Sequence, residues 1–199
     1  MNFIYKKGIT PYIFSLIEMH WVEECVYTES EEETILIQQH EGVFSVGKSF
    51  EKQDFVSSHS FPVYYTKRGG RITVHNPGQI VVYPIVNIKK RGINVSEYVK
   101  ILENWIIEVL KTFKIIGECS KDGIGIWVNG AKIGFIGIRI ERGITTHGLC
   151  LNVNNDLRPF DSIIPCGIPN LSITSMQKTL KTNVSPDDIG GNFIKSCPF

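Results

Sequence analysis

Residues 124–140 read Ile-Gly-Ile-Trp-Val-Asn-Gly-Ala-Lys-Ile-Gly-Phe-Ile-Gly-Ile-Arg-Ile. Asn129-Gly130 is the dipeptide that best supplies the two positive φ angles of a two-residue hairpin turn. The runs on either side, Ile124–Val128 and Ala131–Ile140, are apolar and rich in β-branched residues, which is typical of strands. The segment therefore predicts an antiparallel hairpin. We expect it to begin a second sheet, separate from the strands predicted in the first half of the chain.

The rest of the chain alternates groups of predicted strands with predicted helices. A first helix is predicted over residues 11–26, with Thr10 as its N-cap and an apolar face of Ile13, Leu16, Ile17 and Trp21. Further strands are predicted at Thr34–Gln38 and Gly42–Gly47, which we expect to pair, and at Pro62–Thr66, Arg71–His75, Gln79–Val86 and Leu149–Val153. Further helices are predicted from Ser96 to Phe113, near Thr174–Leu180, and after Ser185. This order, without βαβ alternation, predicts an α+β fold of mixed and antiparallel sheets flanked by helices.

Composition limits the classes of protein to which the chain can belong. It has 199 residues with 21 basic and 20 acidic side chains, so bulk charge gives no reason to expect a nucleic-acid partner. No stretch approaches the roughly 20 apolar residues of a membrane span, and the N-terminus lacks a signal-peptide pattern. We therefore expect a cytoplasmic protein without a membrane partner. The length fits one domain over residues 1–199, and a monomer is expected because no heptad pattern is present.

Cysteine and histidine spacing gives no sign of a metal site. The five cysteines are widely spaced and form no CxxC pair, which favours reduced thiols over disulfides or zinc ligation. The histidines form no cluster of ligands in the sequence either. These residues are Cys25, Cys119, Cys150, Cys166 and Cys197, with His20, His40, His59, His75 and His147. No metal is therefore expected.

The segment Lys67–Gln79 concentrates basic residues and glycines between apolar strands. Glycines allow a backbone to approach a ligand closely, while Arg68 and His75 offer hydrogen-bond donors for an acidic or carbonyl group. A basic surface hairpin with glycine-rich turns explains the same composition. Composition alone leaves both interpretations open.

A lysine begins the apolar stripe of the second hairpin strand. A period of two places five residues on one face, namely Lys132, Gly134, Ile136, Ile138 and Ile140. The lysine amine either reaches solvent at the strand end or is held near the interior, as functional lysines often are. Glycines 134 and 137 in mid-strand indicate a bulge, or the close approach of another backbone or a ligand.

Cys166 lies in the stiff, apolar segment Ile163–Pro169, which contains no neighbouring base. The thiolate is the nucleophilic form of cysteine, and a nearby cation stabilises it. Lys132 or a histidine from elsewhere in the fold is a candidate for that role. The alternative is an unreactive buried thiol, which is also the expectation for the other four cysteines.

Three ordered blocks of this sequence carry a resemblance to a known family. They are Arg68-Gly69-Gly70-x-x-Thr73-x-His75-x-Pro77-Gly78-Gln79 with Tyr83-Pro84; Gly130-Ala131-Lys132-Ile133 with Gly137, Thr146-His147-Gly148 and Leu151-Asn152; and Pro165-Cys166-Gly167. Together they span roughly residues 34–181, with the lysine 34 positions before the cysteine. On these residues the chain resembles the lipoyl-protein octanoyltransferase family, which has the fold of biotin and lipoate protein ligases.

The resemblance implies an acyltransferase that moves an octanoyl group from octanoyl-acyl carrier protein to a lysine of a lipoyl-bearing protein. The implied acceptors are the lipoyl domains of 2-oxoacid dehydrogenases and the glycine-cleavage H protein. Cys166 is implied to form an acyl-thioester, and Lys132 to stabilise its thiolate and to move protons. Because formation of the final amide drives the reaction, neither ATP nor any cofactor is expected.

The same resemblance implies three substrate-contacting segments. They comprise Arg68, Gly69, Gly70, Arg71, Ile72, Thr73, Val74 and His75; Phe135, Ile136 and Gly137; and Gly148, Leu149 and Cys150. Apolar residues of the hairpin strand are suited to line a tunnel for eight carbons, namely Ile133, Phe135, Ile136 and Ile138. The chain departs from the family pattern at Asn76, where glycine is common, at Phe135, where a small residue is frequent, and at Cys150, where alanine is frequent.

Three alternatives compete with this interpretation. An ATP-dependent lipoate ligase needs no nucleophilic cysteine, so Cys166 argues against it. A non-catalytic module that binds acyl carrier protein or a lipoyl domain needs neither Cys166 nor Lys132. A cysteine hydrolase would use His75 or His147 as its base and would release the acyl group to water.

Overall fold

The computed structural model describes residues 1–58 and 60–199, and within these residues ten strands form two sheets that pack with four α-helices. The strands are β1 (Asn2–Thr10), β2 (Thr34–His40), β3 (Val43–Val46), β4 (Val63–Tyr65), β5 (Ile72–His75), β6 (Gln79–Ile85), β7 (Glu118–Ser120), β8 (Gly123–Val128), β9 (Ala131–Glu141) and β10 (Ile144–Asn152). The helices are α1 (Tyr12–Tyr27), α2 (Val95–Thr112), α3 (Met176–Leu180) and α4 (Pro186–Lys195), and 3₁₀ helices lie at Lys52–Asp54, Arg158–Ser162 and Pro165–Gly167. His59, one of the histidines considered above, lies outside the described residues.

The larger sheet has the order β1-β2-β6-β10-β9-β8-β7, and the smaller one has the order β4-β3-β5. Within the larger sheet β1 and β2 run parallel and the other neighbours antiparallel, so the prediction of mixed and antiparallel sheets with helices is confirmed. Two details of the prediction are wrong. The β8–β9 hairpin extends the larger sheet instead of beginning another, and β2 and β3 do not pair. The chain leaves the larger sheet after His40, and β3 pairs with β4 and β5.

Both faces of the larger sheet are covered, which explains why every residue of β2 and β6 is buried. On one face α2 and α4 pack around Trp105 and Phe193, with Ile35 of β2 beneath them. On the other face lie α1 and the smaller sheet, which enclose Leu36 of β2 and Tyr83 of β6. In the part of the chain that is described, no helix is long and apolar enough to cross a membrane.

Helix α1 buries a different face from the predicted one. Of the four predicted core residues, Ile13, Ile17 and Trp21 are exposed to 41%, 60% and 59%. The buried face consists of Tyr12, Ser15, Met19, Val22, Glu23 and Val26. Because apolar residues occur on nearly all sides of this helix, their spacing does not identify the side that the sheet covers.

Two helices also begin at residues other than those predicted. The chain forms β1 up to Thr10, Pro11 is the N-cap of α1, and the Tyr12 amide donates to the carboxylate of Glu41. Helix α2 is capped by Asn94 instead of Ser96. Asn94 Oδ1 accepts from the Glu97 amide at 3.0 Å and Glu97 Oε2 accepts from the Asn94 amide at 3.0 Å, which forms a capping box.

A β-bulge in β9 determines where Lys132 lies. Ile126 of β8 pairs with Gly134, but the next residue, Trp127, pairs with Lys132. Ile133 is therefore one extra residue on β9, and the alternation of side chains is shifted at this point. The prediction that Lys132 and Gly134 lie on the same face of β9 is wrong. Gly134 faces α2, whereas Lys132 faces the side of the larger sheet on which the smaller sheet packs. The prediction of a bulge near glycine 134 is confirmed.

The core between α2 and α4 is expected to supply a large share of the stability. Phe193 is fully buried and lies edge-on to Trp105, with ring centroids 5.4 Å apart. We expect Phe193→Ala to lower the free energy of unfolding by about 3–5 kcal/mol, measured by urea denaturation. Phe14→Ala on α1 is the matched control, because Phe14 is 59% exposed and should change stability by less than about 1 kcal/mol. Equal losses in both variants would contradict this assignment of the core.

Candidate active site

A cavity of about 400 Å³ lies between the two sheets and the loop that carries Cys166. Its lining includes most of the residues predicted to contact substrate, namely Arg68–Thr73, His75, Phe135–Gly137 and Gly148–Cys150. Val74 is the exception, because it is fully buried in the core below the cavity. Ile133, which was predicted to line an acyl tunnel, is fully buried against the core under α2 and is not among the residues that border the cavity.

Several lining residues were not predicted. They are Val81 and Tyr83 on β6, Val99 on α2, residues 122–124 at the β7–β8 turn, His147 and Ile168. The pairing of Cys150 with Val81 across β10 and β6 explains the first two, since paired residues face the same side of a sheet. The order of strands, which the sequence does not reveal, was needed to find them.

Cys166 occupies a left-handed backbone conformation with φ 59° and ψ 9° between Pro165 and Gly167. This conformation is strained for a residue with a side chain, so neighbouring contacts must maintain it. The side chain is exposed and its sulfur borders the cavity. In this turn the thiol faces the cavity, where it is accessible to a ligand, and the backbone lies behind the thiol.

Lys132 is fully buried, and its ammonium group lies against Cys166. The Nζ atom donates to Cys166 Sγ at 3.2 Å and to the backbone oxygen of Ile124 at 2.7 Å. It also lies 4.4 Å from the ring centre of Trp127 and 5.1 Å from that of Phe135. Among the described residues, no carboxylate lies within salt-bridge distance of it. The structure therefore holds this lysine in the interior, where the sulfur is the one anion-forming group that it contacts.

Backbone contacts fix the position of Lys132. Its amide donates to Ser172 O at 2.8 Å, and its carbonyl accepts from the Thr174 amide at 2.9 Å. The side-chain amide of Asn152 in turn donates to Thr174 O at 3.0 Å. The segment 172–174 therefore acts as a short strand that brackets the lysine.

The floor of the cavity is a buried polar network with fixed proton positions. Gln79 Nε2 donates to Asn152 Oδ1 at 2.9 Å, so Gln79 Oε1 accepts from His75 Nδ1 at 2.7 Å. His40 Nδ1 donates to a backbone oxygen, which leaves its Nε2 to accept from the Tyr83 hydroxyl at 2.8 Å. These bonds assign one tautomer to each imidazole.

Burial keeps the titratable groups of this floor uncharged. It lowers the pKa of His40 to about 4 and that of His147 to about 3, and it holds the pKa of His75 well below its usual range. Burial also raises the pKa of Tyr83 well above its usual range and that of Cys150 to about 12. Cys150 is therefore a neutral thiol in the cavity wall.

Arg68 is a second buried cation near the cavity. Its guanidinium donates to Ser45 Oγ at 3.0 Å, to Ser45 O at 2.5 Å and to Gly69 O at 2.8 Å. Its side chain packs on Gly137, where a Cβ atom would lie 3.2 Å from Arg68 Cδ. The predicted close approach at glycine 137 is thereby confirmed. The described residues contain no group of three His, Cys, Asp or Glu side chains arranged to hold a metal ion.

The fold is that of lipoate-protein ligases. A crystal structure of lipoate-protein ligase A bound with ATP matches with a TM-score of 0.74, at 12% sequence identity, and the match covers 98% of this chain and 84% of that chain. An identity this low establishes the architecture alone. The reaction has to be inferred from relatives of higher sequence identity and from the residues of the site.

Residues 13–197 match the lipoyl protein ligase A/B catalytic domain, and the chain belongs to this family. It is 39% identical over 182 residues to an octanoyltransferase of Wolbachia pipientis subsp. Culex pipiens, covering 89% of this chain and 88% of that protein. It is 36% identical over 198 residues to an octanoyltransferase of Zymomonas mobilis, covering 98% of this chain and 91% of that protein. The resemblance seen in the sequence is confirmed, and within the family the chain is an acyltransferase like these relatives.

The histidines of the floor predict a loss of stability in acid. Because the pKa values of His40 and His147 are lower in the folded chain than the usual value of about 6.5, the unfolded chain binds more protons below that pH. Each histidine should therefore reduce the free energy of unfolding by up to about 1.4 kcal/mol per pH unit from about pH 6.5 to pH 4, and by nothing above that range.

Urea denaturation at pH 7, 6 and 5 measures this slope. His147→Asn should flatten it, because asparagine does not titrate and tolerates the positive φ of position 147. His20→Asn is the control for the loss of a histidine, since His20 is exposed on α1 and lies outside the cavity. An unchanged slope in His147→Asn would refute a buried neutral imidazole at that position.

Gly125 leaves room for the lysine side chain. Its φ is +132°, and a Cβ atom there would lie 2.6 Å from Lys132 Cε and 2.5 Å from Gly134 O. We expect Gly125→Ala to displace the ammonium and to slow alkylation of Cys166 by iodoacetamide about 10-fold. Gly191→Ala in α4 is the control, because nothing lies within 4 Å of its added methyl group. Native reactivity in Gly125→Ala would show that the lysine does not activate the thiol.

Proposed function

We propose that this chain, as one catalytic domain over residues 1–199, transfers an octanoyl group from octanoyl-acyl carrier protein to a lysine of a lipoyl-bearing protein. The observation that carries the proposal is the 3.2 Å contact between Lys132 Nζ and Cys166 Sγ beside an acyl-sized cavity. An ammonium group at this distance favours negative charge on the sulfur, and the thiolate is the reactive form. The sulfur is therefore prepared to attack a thioester.

In the first half-reaction the Cys166 thiolate attacks the carbonyl carbon of the octanoyl thioester. A new C–S bond forms to Cys166, the C–S bond to the carrier breaks, and the leaving sulfur takes a proton from Lys132. One thioester replaces another, so the step is close to isoenergetic and needs no ATP.

In the second half-reaction a lysine amine of the acceptor attacks the acyl-Cys166 thioester. The C–N bond forms and the C–S bond breaks, which returns the electron pair to Cys166. Lys132, left neutral by the first step, takes the proton that the amine loses. Because an amide is more stable than a thioester, this step drives the overall reaction.

The cavity wall supports an acyl substrate. Val81, Phe135, Ile136, Ile138 and Leu149 are apolar residues that line a space of about 400 Å³, within the usual range for small-ligand pockets. Burial of an octanoyl chain there is worth roughly 5 kcal/mol, at about 0.8 kcal/mol for each methylene group. The apolar wall favours a saturated chain over a polar acyl group.

The acceptors we propose are the lipoyl domains of 2-oxoacid dehydrogenases and the glycine-cleavage H protein. The octanoyltransferase relatives and the lipoyl ligase family support an acceptor whose free lysine amine is the site that becomes lipoylated. A catalytic thiol that must stay reduced favours the cytoplasm as the compartment. We further propose that the chain acts as a monomer.

Intact-mass spectrometry after incubation with octanoyl-acyl carrier protein tests the mechanism. The native chain should gain one octanoyl increment, Cys166→Ser none, and Lys132→Ala the same increment about 100-fold more slowly. Cys119→Ser is the matched control and should be acylated at the native rate, since that thiol is exposed and lies outside the cavity. Added unmodified lipoyl domain should then remove the increment.

The same assay separates the alternatives. Acylation that survives Cys166→Ser would overturn the proposed nucleophile. Modification of the lipoyl domain from free octanoate only when ATP is present would identify a ligase, and no increment at all would favour a binding module. Release of octanoate to water as fast as transfer to the lipoyl domain would identify a hydrolase.

A further inference from the structure

An ion pair between the buried Asp54 and the partly exposed Arg71 lies directly behind the Cys166 loop. Asp54 is fully buried at the end of the 3₁₀ helix Lys52–Asp54, and Arg71 immediately precedes β5. Arg71 Nε and Nη2 lie 2.9 and 2.6 Å from the two carboxylate oxygens of Asp54, and Nη2 lies 3.1 Å from Glu51 Oε2. The guanidinium therefore already has two carboxylate partners, although sequence resemblance placed Arg71 among the substrate contacts.

Asp54 and its neighbours are bonded to the chain just before Cys166. The Ile164 amide donates to Asp54 O at 2.7 Å, and the Val56 amide donates to Ser162 O at 3.0 Å. Between these bonds Phe55 and Ile163 form an antiparallel bridge. The segment 54–56 thus holds residues 162–164 as a second short strand would.

Arg71 contacts the chain just after Cys166. Gly167 lies so close to the arginine that a Cβ atom there would be 2.6 Å from both Arg71 Cδ and Nη1. Because φ at Gly167 is +70°, two successive residues of this corner adopt left-handed conformations. One member of the ion pair therefore supports the loop before the cysteine, and the other packs against it on the far side.

We propose that the Asp54–Arg71 ion pair positions Cys166, holding its strained corner so that the sulfur stays against Lys132. The inference rests on the proposed function in one respect, the role of Cys166 as nucleophile. Asp54 and Arg71 are positioning residues here, because they act through the loop and do not touch the reacting atoms. The pair suits this role because Asp54 and Arg71 each contact the Cys166 loop, which lies about a hundred residues further along the chain. Removing Arg71 would leave the buried Asp54 carboxylate without its charged partner.

The test compares Arg71→Met, Asp54→Asn and the double variant, each assayed in three ways. These are urea denaturation, the kcat and KM of acyl transfer from octanoyl-acyl carrier protein, and alkylation of Cys166 by iodoacetamide followed by peptide mass spectrometry. The exposed Cys119 serves as the reference thiol within each molecule. Arg142→Met removes an exposed ion pair with Glu24 and is the matched control for loss of an arginine.

Arg71→Met is expected to lower kcat and the Cys166 alkylation rate about 10-fold, with little change in KM and none at Cys119. Arg71→Lys should recover most of the loss, because an ammonium group can still pair with Asp54. The double variant should regain stability, since no buried charge remains unpaired, yet should stay about 10-fold slow. Arg142→Met should match the native chain in every assay.

Three results would overturn the proposal. A raised KM with native Cys166 alkylation in Arg71→Met would show that Arg71 binds substrate. If the double variant recovers both kcat and stability, the ion pair only stabilises the fold and does not position Cys166. An equal loss in Arg142→Met would make the effect nonspecific. If Asp54→Asn does not fold, the two Arg71 variants decide alone.

The alkylation assay separates this proposal from the proposed function. If native Cys166 never acquires an octanoyl group, the proposed function fails. The dependence of Cys166 alkylation on Arg71 still reports whether the ion pair positions the thiol.

Discussion

An ammonium group buried without a carboxylate partner, within the described part of the chain, is the constraint on which this structure depends. Removing one charge from water costs several kcal/mol, and Lys132 offsets that cost with the Ile124 carbonyl, two aromatic faces and the sulfur of Cys166. The sulfur contributes most when it is negative, so each charge stabilises the other. The bulge at Ile133 and the bracket formed by residues 172–174 serve this one contact, because both determine where the ammonium lies.

The neutral floor of the cavity makes this contact effective. His40, His75 and His147 carry no charge near pH 7, because burial has lowered their pKa values, and the Cys150 thiol keeps its proton. They therefore provide no competing anion for Lys132 and no second nucleophile beside Cys166. Hydrogen bonds within the protein fix the orientations of His40 and His75, which gives the cavity a rigid, uncharged polar base beside Lys132 and Cys166.

Local sequence signals predicted turns and strands well. They predicted poorly which face of an element is buried and which distant residues come into contact. Asn129-Gly130 specified its hairpin, because the turn requires those backbone angles whatever surrounds it. The buried face of α1 was missed because apolar residues lie all around that helix. The glycines predicted a bulge near position 134, but they did not give its exact place at Ile133. Cys166 and Lys132 were found through ordered motifs. Asp54 has no motif at all, and its importance arises from contacts with residues distant in the sequence.

The fold alone does not decide between ligation and transfer, because an ATP-bound ligase shares it at 12% identity. The two reactions differ in where the acyl group becomes activated. A ligase must activate a free acid, whereas a transferase receives a thioester and needs only a sulfur that can exchange with it. In this chain the Cys166 sulfur stands on a loop held from behind by residues 54–56 and Arg71, outside both sheets. A thiol placed on such a loop requires no change in strand order, so one architecture can accommodate both reactions.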